Sequence, residues 1–451
     1  MHIDLTQGDI RKHIRTLAVP ASIGFFFHTM FNVTDTWFAG TISTQALAAL
    51  SLSFPIFFLI ISIAGGMSEA VTALVGNALG AGKRSEAQHI SQNALLLGLM
   101  LAVALTLLGY LAAPILMKLL GAHGGYLAEA LGYINIIIYG TLLFVFAFFI
   151  NAMLNAAGDM VSFRNILIVS ALLNVILDYW FVKGGMGIAP MGVRGIALAT
   201  VLIEGLTVLY LWYRLARTPL FSDMPAFRYD PVVMRELAGQ GVPPSFNMAL
   251  TAIGIYIITY FASPFGQEVV AAYGIGMRVE QIVLMPAIGL NVAVLAIAAQ
   301  NNGARFHKRI LEAVDAALGY GMLLALLGGG VLLGASDIIM ELFSDSRGVI
   351  TEGAIYLRIE ALIIYPFVMI FTYLAMLQGI KRPAFIFYVS LARQVVAPII
   401  VLTLLGWMQF GVVAIWVGIA AIVTVSAIVT RWYARRELFA LEHQHGVVHI
   451  E

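Results

Sequence analysis

Residues 14–38 read IRTLAVPASIGFFFHTMFNVTDTWF, and residues 237–261, lying 223 positions further on, read LAGQGVPPSFNMALTAIGIYIITYF. Both are long and apolar enough to cross a bilayer, and both carry a Val-Pro pair at one register, Val19-Pro20 on Val242-Pro243. The offset persists outward. Ala48-Ala49 falls on Ala271-Ala272, Gly66 on Gly289, Gly80-Ala81 on Gly303-Ala304 and Tyr133 on Tyr356. Phe144 likewise meets Phe367, and Met153-Leu154 meets Met376-Leu377. Towards the end of each half the register slips by three or four residues, as differing loop lengths would make it, so that Gly192-Val193 meets Gly411-Val412. The chain is an internal duplication, and two homologous membrane halves point to a pathway between two lobes.

Composition puts those halves in lipid. The 451 residues are 61% hydrophobic and 11% charged, with mean hydropathy +0.93, where a soluble domain is about a quarter charged. The fold expected is an all-α polytopic membrane protein. Its twelve spans cover 14–38, 46–79, 89–119, 125–157, 161–182, 193–216, 233–262, 269–301, 309–340, 348–380, 384–405 and 411–436, each reaching the ~20 residues that the hydrocarbon core requires. They form two six-helix bundles around a central cleft. The N-terminal lobe is 1–216, a polar linker with Pro219, Pro225 and Pro231 fills 217–232, and the C-terminal lobe with a short tail is 233–451. No cleavable signal peptide is expected, because the start is polar and the first apolar stretch runs into Asn32, Asp35 and a second span. The absence of cysteine excludes disulfides and thiolate metal sites. A net charge of +1 gives no reason to expect nucleic acid binding.

Lys and Arg distribute unequally between the two sides. Eighteen, including Arg11, Lys83, Arg164, Arg228, Arg309, Lys381 and Arg436, fall on one side; five, Lys118, Lys183, Arg194, Arg347 and Arg358, fall on the other. The positive-inside rule then makes both termini and the linker cytoplasmic.

Polar groups at membrane depth are costly and need a purpose. The first span carries His28, Asn32 and Asp35, and the fifth carries Ser170, Asn174 and Asp178, at spacings that put each trio on one helix face. The sixth adds Thr200 and Glu204, four apart. Two carboxylates meeting in the outer half of one lobe would share a proton or hold a small cation, and in a partly dry cavity would take the proton up at moderate pH. The second half lacks these groups. Asp35 corresponds to Ile258, Asn174 to Gln394, Asp178 to Pro398, Thr200 to Ile419 and Glu204 to Val423. A scaffolding role would be needed in both halves, so coupling is placed in the first. Pro20, inside the first span, removes a helical hydrogen bond and supplies a candidate hinge below Asp35, although Pro243 at the same register also fits a shared architectural kink. Arg278, two positions from Glu280 in the eighth span, is a further candidate for the cleft, as a partner to an acid across it.

Over essentially its full length the chain resembles the multidrug and toxic compound extrusion family. The residues that carry the resemblance are the Pro20-to-Asp35 first helix, Gly80-Ala81-Gly82-Lys83 after the second, Asn174 to Asp178 in the fifth, and Gly192 through Thr200 at the start of the sixth. Within that family the pattern is similar to the prokaryotic DNA-damage-inducible F branch. The resemblance implies export of amphipathic, mostly cationic drugs by antiport against protons or sodium, and it places the branch's polar residues on Asp35, Asn174, Asp178 and Thr200. It adds Tyr133 and Asn151 as candidates facing the substrate. The acids of the sodium-coupled branch in helices seven and ten fall on Thr251 and Phe367, and a glutamine of relatives falls on His28.

The reading is a proton-coupled multidrug antiporter working by alternating access in a bacterial inner membrane, a monomer without cofactor or resident metal. Sodium at Asp35, Asn174, Asp178 and Thr200 is the alternative coupling, since these side chains offer the oxygens a hard cation accepts. A flippase for lipid-linked substrates is disfavoured, because only Arg278 and Arg393 lie within spans. A channel is disfavoured because the polar groups sit in one lobe. An enzyme is excluded by the lack of any nucleotide loop, metal cluster or nucleophile arrangement.

Overall fold

The computed structural model describes residues 3–119, 122–185 and 187–446, the side chains of 444–446 excepted. Residues 447–451, the end of the expected tail, lie outside the described residues. Fourteen α-helices are described: α1 Ile10–Ile42, α2 Thr44–Gly80, α3 Arg84–Leu119, α4 Gly124–Tyr139, α5 Thr141–Ala156, α6 Val161–Lys183, α7 Val193–Ala216, α8 Pro231–Ala262, α9 Gln267–Gly303, α10 His307–Glu341, α11 Arg347–Gly379, α12 Ala384–Leu391, α13 Ala397–Trp407 and α14 Val412–Gly446. Among the described residues eleven segments are long and apolar enough to cross a membrane, and the bent pair α4–α5, taken as one span, makes a twelfth.

Two spans differ from the expected single helices. The fourth, expected over 125–157, breaks at Gly140 and bends by 43°. A Cβ at Gly140 would overlap Val201 of α7, so the bare backbone there lets α7 press into the bend. The eleventh passes through a π-helical turn, Ala392–Val396. Pro398 has no N–H to return to the Gln394 carbonyl, and Ala397 donates instead to Ala392, five residues back.

Packing divides the chain into two compact units, Met1–Asp4 with Ile23–Ser245, and Leu5–Ser22 with Phe246–Glu451. The first turns of α1 therefore belong to the second unit, and the first turns of α8 to the first. The first unit is built around fully buried Phe149, Ile134, Ile137, Ile138 and Met117. The second centres on Trp416, Tyr273 and Tyr356.

The duplication is reproduced atom for atom at one crossing. In the first unit Ser245 of α8 donates to the Gly241 carbonyl at 2.8 Å and the Ile63 carbonyl of α2 at 3.2 Å. In the second unit Ser22 of α1 donates to the Ala18 carbonyl at 2.8 Å and the Pro286 carbonyl of α9 at 3.4 Å. Each pair of helices meets at a glycine. A Cβ on Gly66 would overlap the Ser245 backbone, and one on Gly289 would overlap Ser22 and the Ala18 carbonyl. Between helices in lipid, where apolar burial gives no net drive, such close approach supplies the attraction.

Outside the spans, Asp230 caps α8, accepting from the N–H of Val232 at 2.8 Å and of Val233 at 3.3 Å. His89 sits 3.2 Å from its carboxyl, and that hydrogen bond together with the two amides holds the Asp230 carboxyl below the usual carboxylate range. Asn93 completes the lock, donating to the Arg228 carbonyl and accepting from the Asp230 N–H. The linker is thus bound to α3.

A methyl group at Gly66 or Gly289 should lower thermal unfolding in detergent by about 1–3 kcal/mol, the usual cost of overpacking. Gly274→Ala, in the same helix as Gly289 but with open space around it, should be neutral or stabilising by up to about 1 kcal/mol. Equal behaviour of the three variants would contradict the crossing.

Candidate functional site

Three helices of the first unit deliver the polar residues. The α6–α7 connection lets the two helices run close together, since a Cβ at Gly195 would overlap the Phe181 backbone. That proximity sets Asn174 and Asp178 of α6 opposite Thr200 of α7, and Asp35 of α1 closes the group. All four are buried, at 0, 0, 6 and 5% exposure for Asn174, Asp178, Thr200 and Asp35.

One amide ties the two acids together. Asn174 Nδ2 donates to Asp35 Oδ1 at 2.8 Å and to Asp178 Oδ2 at 3.2 Å, and the two carboxyls lie within hydrogen-bonding reach of each other. Thr200 Oγ1 lies 3.2 Å from Asp35 Oδ2 and 3.0 Å from the Ile196 carbonyl. The hydroxyl has one proton for these two acceptors. When Asp35 is ionised, Thr200 serves the carboxylate. When Asp35 carries a proton, it donates to Thr200, and Thr200 donates to Ile196. The Thr200 hydroxyl therefore has a partner in either protonation state of Asp35.

Two acceptors in the group are left without a donor: Asn174 Oδ1 and Asp178 Oδ1 are buried and unpartnered. Unpaired buried acceptors cost free energy comparable to a lost hydrogen bond. A proton on Asp178, or a cation between these oxygens, would relieve that cost.

The group opens on a cavity of about 120 Å³. His28, Asn32, Asp35, Tyr133, Thr200 and Glu204 line it, together with an aromatic wall from Phe31, Phe54, Phe57 and Phe144. At ~30 Å³ per water it has room for about four waters, well under the ~300 Å³ of a drug-sized site. Asn32 spends its amide on its own helix, donating to the His28 carbonyl at 3.0 Å.

Other expected site residues lie elsewhere. Asn151 is buried in α5 but does not line this cavity, and its Oδ1 has no partner. Pro20 is buried within α1, two residues before that helix passes from the second unit to the first. Arg278 is in the second unit and is exposed.

The second unit is not devoid of buried acids, as the half-to-half comparison implied. The positions equivalent to Asp35, Asp178 and Glu204 are apolar as read. However, Glu280 of α9, rather than its exposed neighbour Arg278, turns inward to accept from Tyr356 Oη at 3.1 Å. Glu360 of α11, 3% exposed, lies beside it with Oε2 unpartnered. Tyr273, Tyr356 and Trp416 pack around them at ring separations of 5.1 to 5.5 Å. The signal was in the repeat: Tyr356 matches Tyr133, and Glu280 matches Phe57, both lining the first unit's cavity.

The profile of the family described as MatE matches residues 20–180 and again 243–405. The chain belongs to the MatE family. It is an integral membrane transporter and not an enzyme, and the double match repeats the internal duplication. A probable multidrug resistance protein NorM of Thermotoga maritima is 26% identical over 424 residues, covering 92% of this chain and 89% of its own. An FAD transporter of Shewanella oneidensis is 26% identical over 393 residues, covering 87% of each. The fold of this MatE chain also matches a solved MOP superfamily transporter from Pyrococcus furiosus Vc1, with TM-score 0.91 and 24% identity over 98% of both chains.

Thr200→Val leaves Asp35 Oδ2 buried without its donor, and should lower thermal stability by about 1–3 kcal/mol. Thr200→Ser keeps the hydroxyl and should recover most of the loss. A neutral Thr200→Val would contradict the hydrogen-bond assignment.

Proposed function

We propose that this chain is a proton-coupled multidrug exporter of the bacterial inner membrane, of the DNA-damage-inducible F-like branch, exchanging amphipathic cations for protons. The observation that carries this reading is the buried pair Asp35 and Asp178 joined by the Asn174 amide, with orphan acceptors beside it, at the wall of an aromatic-lined cavity. Burying two adjacent carboxylates in lipid is unfavourable unless a proton or a cation accompanies them.

In the cycle, an outward-open site takes a proton onto the Asp35–Asp178 pair. The Thr200 hydroxyl turns to Ile196, and the α1 face carrying His28, Asn32 and Asp35 relaxes toward α6 and α7. A bend at Pro20 transmits this along α1, and contraction of a wider, drug-holding cavity to the small one beside Asp35 expels the drug. Inward opening releases the proton to the cytoplasm and lets the next cation displace it. A cation and a proton that neutralise the same carboxyls cannot both be favoured there, and this competition is the differential free energy that coupling requires. Phe31, Phe54, Phe57 and Phe144 give the cation faces to rest on, while Tyr133 and Glu204 offer polar contacts at the same wall. Asn151 and Arg278, which do not line this small cavity, are assigned to substrate contact elsewhere along its path. The protein acts as a monomer, with both termini cytoplasmic.

Sodium is the second reading of the coupling ion, because Asn174 Oδ1 and Asp178 Oδ1 are oxygens without donors. The relative named as an FAD transporter raises an anionic substrate, but a cavity walled by Asp35 and Glu204 favours cations.

Everted vesicles or proteoliposomes containing the full chain, loaded with ethidium as probe, distinguish these readings. Transport should follow an imposed pH gradient, ignore a sodium gradient, and fall to the level of empty vesicles in Asp35→Asn. Transport that follows sodium would move the same residues to a cation site. Absence of ethidium transport under either gradient would overturn the drug-export reading.

A further inference from the structure

At the arginine-rich end of α14, a cavity of about 650 Å³ opens against α11. Its rim is Arg431, Arg435 and Arg436, and its apolar wall includes Ile428, Met369, Trp432 and Phe439. The three arginines differ in how they are held. Arg435 is fixed, donating to Tyr373 Oη at 3.1 Å and to Asp315 at 3.1 Å, so its charge is balanced. Arg436 lies over the Trp432 ring, 5.6 Å from its centre. Among the described residues neither Arg431 nor Arg436 forms an ion pair. Among the described residues the rim thus carries two arginines outside any ion pair, next to one whose charge is paired.

The wall has the opposite character. Trp432 and Phe439 are 61% and 60% exposed although both are large and apolar. Water would satisfy the arginines but not these rings, and hydrocarbon would satisfy the rings but not the arginines. A ligand that joins a negative headgroup to an acyl chain satisfies both. Basic pockets between transmembrane helices at the membrane surface have the chemistry to hold anionic headgroups, and Trp at this level marks the interface itself.

We propose that the α11–α14 pocket binds an anionic phospholipid of the adjacent leaflet, its phosphate between Arg431 and Arg436 beside the Trp432 ring and one acyl chain running towards the membrane interior along Ile428 and Met369. The site is separate from the coupling group, which lies in the other unit.

Delipidated full-length protein offered an equimolar mixture of phosphatidylglycerol and phosphatidylcholine, and weighed intact by native mass spectrometry, tests this. Phosphatidylglycerol should be retained preferentially, and Arg431→Gln/Arg436→Gln should weaken that retention roughly tenfold or more. Lys83→Gln/Arg305→Gln, which removes two charges from the same side elsewhere, should not. Matching thermal unfolding of both double variants in lipid-free detergent establishes that they fold. Equal retention of the two lipids by the unaltered chain, or equal loss in both double variants, would overturn the proposal. Displacement of the lipid by inorganic phosphate at low concentration would instead make the pocket a soluble-anion site and overturn the lipid assignment.

Discussion

A single amide between two buried acids is the constraint on which the first unit is organised. Asn174 has two N–H groups on one nitrogen, and that nitrogen reaches both Asp35 and Asp178. Neither acid would be tolerable alone in an apolar bundle, and the pair is worse without a donor or a proton between them. The helices follow from that need. The glycine approach of α7 to α6, the helical back-bond of Thr200 and the position of Asp35 on α1 all serve to bring donors to these oxygens. The small cavity beside the group is what remains once they have met.

The duplicated scaffold shows what is structural and what is specialised. The Ser245 and Ser22 crossings repeat to the atom at an offset of 223, each with a glycine beneath a serine. Geometry that recurs in both halves belongs to the fold. The carboxyls do not recur: Asp35 faces Ile258 across the repeat, while Phe57 faces Glu280. Each half thus decorates the same frame differently, with amide-bridged carboxyls in one and a glutamate–tyrosine–tryptophan nest in the other. Pro20 stands where α1 leaves the second unit for the first. A helix that serves two packing units and lacks one backbone bond at the transfer point is a natural place for a bend, and Asp35 sits on the same helix further along.

Spans, duplication and the first-unit polar group were legible because each depends on periodicity. Apolar length sets the spans, constant offset sets the repeat, and i, i+4 spacing gathers Asn174 with Asp178 and Thr200 with Glu204 onto single faces. What periodicity does not carry was missed. The break at Gly140 depends on a contact with Val201 some sixty residues away in sequence, and the π-helical turn depends on one missing N–H at Pro398. Glu280 and Arg278 look interchangeable as isolated charges in an apolar run. Only the rotation of α9 decides that Glu280 meets Tyr356 while Arg278 faces out. Asn151, a candidate from family resemblance, does not line the small cavity beside Asp35 and keeps a buried Oδ1 without a partner.

The central claim is that drug and proton compete for the amide-bridged carboxyls. It is tested most directly by following the pH of a weakly buffered solution of purified protein as ethidium is added. The account predicts that protons are released as the cation binds, and that this release disappears in Asp35→Asn while residual ethidium binding persists. Binding with no proton release in the unaltered protein, or release that survives Asp35→Asn undiminished, would contradict it.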